Sequence, residues 1–299
     1  VSDCAPARSL HALVNGLVDY AGLFPPAALT MQDAVVKYAA YGRTPESWLL
    51  GRLVVPIARL EETADAAAPH LNAREEPWRL AVTLGDNVSD SAHRVTSFNA
   101  THAGRLVVDV VEAKISTTAD IERVARAVGQ LATVYLETPV AGDPRKLLSA
   151  VRDAGARAKV RTGGVTPDAF PTASALARFI VHCAELGLAF KATAGLHHPI
   201  RSDYRLTYEG GSPHATMFGF LNVFAAAVFA RSGMQETALV RVLDESDVSA
   251  FRFDGEALHW RGRSLALERI VEARAAFAIS FGSCSFREPV ADLQQLRLL

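Results

Sequence analysis

Cysteine is scarce in this chain of 299 residues: Cys4, Cys183 and Cys284 are the only three. An odd number without paired metal spacing supports neither a disulfide framework nor a zinc knuckle. Long apolar runs are also missing. The longest, around Phe218–Ala230, is interrupted by Asn222 and falls short of the ~18 uninterrupted apolar residues of a membrane span. Val1–Ser9 shows no positive-then-apolar signal pattern. Nor is there an excess of one charge, since 31 Lys plus Arg stand against 32 Asp plus Glu. That balance provides no basic field for nucleic acid and no acidic tail. Nucleic-acid and membrane partners are therefore not expected, and a reducing cytoplasm is the simplest compartment.

Apolar residues are abundant, at 49% against 21% charged, which is enough for one large core. Short β-rich runs alternate with amphipathic helical stretches, the pattern of successive βα units around a parallel sheet. Strands are expected at Leu17–Leu23, Arg52–Pro56, Arg79–Leu84, Leu106–Ile115, Thr133–Glu137, Ala158–Thr162, Ala189–Ala194 and Ala278–Phe281. Eight such units predict a (β/α)₈ TIM barrel formed by residues 1–299 as a single domain. Between the sixth and seventh strands, Leu176, Phe179, Ile180, Cys183 and Leu186 recur at helical spacing. Residues 196–263 form an expected insertion between strands 7 and 8. It comprises a long polar loop at Gly195–His214 that is able to act as a lid, an extra helix at Phe218–Ala230, and a hairpin at Phe251–Trp260 turning at Asp254-Gly255. The apolar helix could equally belong to a subunit interface, which would make the chain a homo-oligomer. Helices at Leu265–Ala276 and Pro289–Leu296 complete the reading.

In such a barrel the carboxyl ends of the strands converge on one mouth, so polar residues there are the candidates for chemistry. The sixth strand ends Lys159-Val160-Arg161-Thr162-Gly163-Gly164, and the two-residue period puts Lys159 and Arg161 on one face. Cations are hard to solvate among outer helices, which favours the inward orientation. Lys191 and Thr193 share a face of the seventh strand. Desolvation of Lys191 beside Arg161 would lower its pKa and free its amine for imine chemistry; the alternative is a buried ion pair with Glu137 or Glu112. Asp19, Glu112 with Lys114, and Glu137 are the acids at other strand ends, fit either to move protons or to neutralise the cations. Asp109 and Glu112 have opposite parity, so one of the two is expected inside.

The last strand runs into Gly282-Ser283-Cys284-Ser285 ahead of a helix. Small residues, hydroxyls and amides there suit a phosphate or carboxylate cradle, or a plain strand-to-helix turn; Cys284 is either an activated thiol or a small filler. His197 and His198 raise the alternative of a divalent metal held with Glu137, although no third ligand stands at recognisable spacing. Otherwise no cofactor is implied.

Taken in order, the strand ends resemble the deoxyribose-phosphate aldolase family of class I aldolases. Leu17-Val18-Asp19-Tyr20-Ala21-Gly22-Leu23, with Thr30 before a helix, is similar to that family's first strand and helix start. Val134-Tyr135-Leu136-Glu137-Thr138 is similar to its fifth strand, Lys191-Ala192-Thr193-Ala194-Gly195 to its seventh, and Ser280-Phe281-Gly282-Ser283-Cys284-Ser285 to its phosphate-holding end. The resemblance implies a carbon–carbon lyase acting through a lysine imine on a small anionic oxo acid or sugar phosphate. It places the imine-forming lysine on the sixth strand, where Arg161 stands; arginine stays protonated and does not replace it, so Lys191 or Lys159 would take over. On this reading Lys191 forms the imine, Glu137 or Asp19 carries protons, and Arg161 holds the anion, with Thr162, Gly163, Gly164, Thr193, His197, His198 and Gly282–Ser285 around the substrate. The alternatives are a metal-dependent lyase or isomerase using His197 and His198, and a ligand-binding barrel without turnover.

Overall fold

The computed structural model describes residues 5–72, 75–85 and 87–299; Cys4 lies outside them, as do the first four residues of the amino-terminal stretch read for a signal. In chain order the barrel strands are β1 (Val18–Tyr20), β2 (Leu50–Pro56), β3 (Trp78–Thr83), β4 (Leu106–Lys114), β5 (Thr133–Glu137), β6 (Arg157–Arg161) and β7 (Phe190–Thr193). There follow a hairpin of β8 (Ser202–Arg205) and β9 (His214–Met217), a three-stranded antiparallel sheet of β10 (Phe251–Phe253), β11 (Ala257–Trp260) and β12 (Arg263–Ala266), and the last barrel strand, β13 (Ala278–Ser283). Eight strands close in the order β1-β13-β7-β6-β5-β4-β3-β2, all parallel. The fold is a (β/α)₈ barrel. No helix among the described residues is long and apolar enough to cross a membrane.

The helices are α1 (Arg8–Val14), α2 (Met31–Tyr41), α3 (Leu60–Ala67), α4 (Val88–Thr101), α5 (Thr118–Val128), α6 (Arg145–Asp153), α7 (Ala173–Leu186), α8 (Phe220–Arg231), α9 (Glu236–Leu243), α10 (Leu267–Ala276) and α11 (Arg287–Gln295). Their starts are written locally. The Thr30 side chain accepts the Asp33 amide at the head of α2, Thr172 accepts that of Ala175 at the head of α7, and Thr117 with Asp120 forms a capping box on α5. Gly187 ends α7 with φ +62°, a conformation that costs glycine no Cβ clash.

Three expectations about the elements change. β1 has three residues rather than seven, because the chain turns at Ala21–Phe24 into Pro25-Pro26, which lack ladder donors. The loop expected at Gly195–His214 contains β8 and the start of β9; each strand has only four residues and β8 is polar but for Tyr204, too little for alternation to register. The helix read as an insertion is α8, the barrel's own helix between β7 and β13. Phe220–Ala230 are buried throughout, packed by α7, α9, α10 and β13 of the same chain. Its all-round hydrophobicity marks an interior helix rather than a subunit interface. The inserted material is therefore the β8–β9 hairpin before α8, and α9 with the three-stranded sheet after it.

Most apolar residues pack between strands and helices, while a smaller cluster of Val54, Ala81, Val110 and Tyr135 fills the barrel interior. The ladder between β3 and β4 slips by one residue between Leu80–Val108 and Ala81–Val110, leaving Asp109 as the extra residue of a bulge. Asp109 pairs with Arg52 and Arg79 at 2.6 and 2.5 Å; these share faces with Val54 and Ala81 of the interior cluster. The bulge thus cancels the parity difference, and Asp109 and Glu112 both turn inward at different depths, contrary to the expectation that only one would.

Candidate functional site

The parallel register sets Lys114, Glu137, Lys159 and Lys191 side by side on β4, β5, β6 and β7. Two lysines directly opposite each other repel unless carboxylates intervene, and three do. Lys191 Nζ donates to Asp19 Oδ2 and to Glu112 Oε1, each at 2.6 Å. The other oxygen of Glu112 lies 2.9 Å from Lys159 Nζ, which is also 2.7 Å from Glu137 Oε2. Glu137 Oε1 in turn accepts from Arg161 Nε at 3.0 Å. The result is one alternating chain, Asp19–Lys191–Glu112–Lys159–Glu137–Arg161, rising from the sealed interior to the mouth.

Its lower end is closed. Lys191 is 1% exposed and Asp19 likewise. Asp19 also accepts from the Ser280 hydroxyl at 2.7 Å and from the Arg52 amide at 2.8 Å, and the Tyr135 ring lies beneath the Lys191 ammonium. Burial alone would depress the Lys191 pKa, but Asp19 and Glu112 outweigh it and raise it well above the usual lysine range. Of the two readings of Lys191, the neutral amine beside Arg161 is corrected, since Arg161 is paired to Glu137, and the buried ion pair with Glu112 is found, with Asp19 as a second acid. Asp19, saturated with donors, is a structural acid.

The upper end opens into a cavity of about 950 Å³ at the carboxyl ends of the strands. Glu112, Glu137, Lys159 and Arg161 line it; Lys191 and Asp19 do not. Burial would raise the carboxyl pKa of Glu112, yet Lys159 and Lys191 hold it at about 2; Glu137 is lowered against the same burial by Lys159 and Arg161. Arg161 spends only Nε on protein, and its Nη atoms have no partner among the described residues. Lys114 and Arg205 also face the cavity and form no ion pair within that set. Three cationic groups thus keep donors free around one space. The β8–β9 hairpin roofs it with Tyr204, Leu206, Thr207 and Tyr208.

The remaining candidates divide. Thr193 and Gly164 line the cavity. Thr162 is fully buried and donates to the carbonyls of Thr193 and Ala194, pinning β6 to β7. Gly163 packs its backbone against Gly195, where a Cβ would strike the neighbouring chain and Phe170; both residues hold the frame. Gly282 and Cys284 reach the cavity, whereas Ser283 Oγ donates to the Ser285 carbonyl and Ser285 Oγ accepts the Glu288 amide. Ser285 thus accepts an amide in the first turn of α11, and Ser283 is engaged with the Ser285 backbone. His197 and His198 line the wall but address different carboxylates, His197 Nδ1 meeting Glu288 at 2.9 Å and His198 Nδ1 meeting Asp292 at 2.6 Å. Glu137 joins neither; among the described residues no three His, Cys, Asp or Glu side chains are grouped to hold a metal.

Arg205, Glu288 and Ser280 were not singled out from sequence as site residues. The one available signal was parity, which puts Ser280 on the face of Gly282 and Cys284. Comparison with protein-family models and with curated proteins found no match.

Proposed function

We propose that the protein is a carbon–carbon lyase of the imine-forming class, acting on a small anionic oxo compound, with Lys159 as the nucleophile. The observation that carries this reading is the unequal access of the two lysines: Lys159 borders the cavity, and Lys191 is sealed below it. An imine requires a neutral amine that meets the substrate carbonyl. Glu137, in contact with the Lys159 ammonium, is the group placed to accept its proton. An anionic substrate drawn to the free Nη atoms of Arg161 competes with Glu137 for the guanidinium. That competition makes Glu137 a better base when substrate is present.

Once formed, the protonated imine draws the electron pair of the breaking carbon–carbon bond toward its nitrogen, and Glu137 returns or removes protons at the separating fragments. Lys191 stays charged throughout. Its part is to hold Glu112 ionised and to share that carboxylate with Lys159. Arg161, Lys114 and Arg205 select for a carboxylate or phosphate. The resemblance of the strand ends to the deoxyribose-phosphate aldolases supports the same chemistry.

The test is reduction with borohydride in the presence of small 2-oxo acids and phosphorylated aldehydes. A mass gain on the intact protein equal to one reduced fragment, with irreversible loss of turnover, is the expected result. An active enzyme that gains no mass with the substrate it turns over overturns the reading.

A further inference from the structure

Beyond the ends of β7 and β13, on the same cavity, stands a second cluster that the lysine chemistry does not use. Cys284 Sγ lies 3.9 Å from His197 Nε2; His197 Nδ1 is 2.9 Å from Glu288 Oε2; and Tyr208 Oη is 3.6 Å from Cys284 Sγ and 3.0 Å from the same Glu288 oxygen. The four come from separate places: the segment after β7, the turn after β13, the first turn of α11 and the tip of the roofing hairpin. All four line the cavity. Thiol, imidazole and carboxylate follow one another in the order used to activate a nucleophile, one ring nitrogen toward the attacking atom and the other toward the orienting acid. Burial would keep His197 neutral, but Cys284 and Glu288 raise its pKa to about 10, so the ring is an imidazolium near neutral pH. Cys183 provides the contrast: it is buried in α7, and burial alone pushes its thiol up.

We propose that Cys284 is a nucleophilic thiol, set by His197 and Glu288, that takes an aldehyde carbonyl in this cavity as a reversible hemithioacetal. In the reacting form the sulfur is a thiolate and His197 an imidazolium. Sγ bonds to the carbonyl carbon, the π pair of the C=O bond moves to oxygen, and that oxygen takes the proton from His197 Nε2, leaving a neutral ring. No oxidant or second reactant is needed, and reversal releases the aldehyde. Acyl transfer fits less well, because it calls for amide donors around a tetrahedral oxyanion and the Ser285 and Glu288 amides are committed to Ser283 and Ser285. The choice of an aldehyde rests on the lyase reading, since cleavage of a hydroxylated oxo acid leaves such a fragment; the reactivity of the thiol does not.

The full-length protein is treated with iodoacetamide near neutral pH and alkylation is followed peptide by peptide. Cys284 is expected to react on the order of tenfold faster than glutathione, with Cys183 untouched. His197→Asn and Glu288→Gln should each slow Cys284 by about tenfold, with circular dichroism showing the fold retained. Glycolaldehyde should protect Cys284 in the wild type and in Lys159→Arg alike. A Cys284 no faster than glutathione, or a rate indifferent to both substitutions in folded protein, overturns the proposal. Protection that vanishes in Lys159→Arg overturns the aldehyde assignment and credits the imine. Protection that persists while no borohydride adduct forms upholds the thiol and removes the imine reading. The wild-type rate ratio and the protection stand even where a variant fails to fold.

Discussion

Lys159 and Lys191 sit opposite each other on adjacent strands, share Glu112, and differ chiefly in what lies on their other side. For Lys191 it is Asp19, itself tied to Ser280 and a backbone amide, so the ammonium is enclosed on every side. For Lys159 it is Glu137, whose second oxygen is held by an arginine that opens to the cavity. One amine is part of the protein's framework and the other borders the cavity. The lesson is that a buried charge with complete pairing is inert, and that chemistry starts where the pairing ends in free donors.

The comparison breaks most decisively at Lys159. Lys159→Ala should lower kcat by about 10³-fold or more in steady-state assays with only a modest shift of the thermal midpoint, because Glu112 and Glu137 retain Lys191 and Arg161. Lys191→Met should do the reverse first. It leaves Asp19 buried without its cation and Glu112 with Lys159 alone, at a cost of about 3–5 kcal/mol, read from the denaturant midpoint. Activity lost in Lys191→Met while stability is unchanged would give the two lysines each other's roles.

Acid sharpens the same contrast. The folded-state pKa of Glu112 is about 2 against an ordinary 4.5. Its contribution to stability is therefore full above the ordinary value and is lost as pH falls toward the folded one. Lys191, raised in the fold, adds stability that persists below its ordinary value and fails only in strong alkali. Denaturant titrations should accordingly show steep destabilisation between about pH 4.5 and 2, and Glu112→Gln should flatten that limb. A limb unchanged in Glu112→Gln would show that other carboxylates control acid unfolding. The smallest effect is expected at the mouth: Arg161→Lys removes the forked contact and should raise KM by about tenfold, with a lesser effect on kcat.

The eight strands were legible because each combines a short β-rich run with a helical stretch, and α7 could be read from its apolar spacing. The turn at Pro25-Pro26 and the β8–β9 hairpin escaped, the first through local backbone chemistry and the second because its two strands have only four residues each. Within the site, parity placed Lys159 with Arg161 and Lys191 with Thr193. What parity does not carry is partnership. The capture of Lys191 by Asp19 and of Arg161 by Glu137 depends on barrel closure and depth, and it is the reason our proposal moves from Lys191 to Lys159. The bulge at Asp109 likewise adds a residue to one strand of a ladder, which alternation alone does not register.

The central claim is that the open lysine reacts and the sealed one does not. Peptide mapping of the borohydride-reduced protein, after incubation with the oxo compound it turns over, tests that directly. The account predicts the reduced adduct on Lys159, with Lys191 unmodified; an adduct on Lys191 with Lys159 free would contradict it.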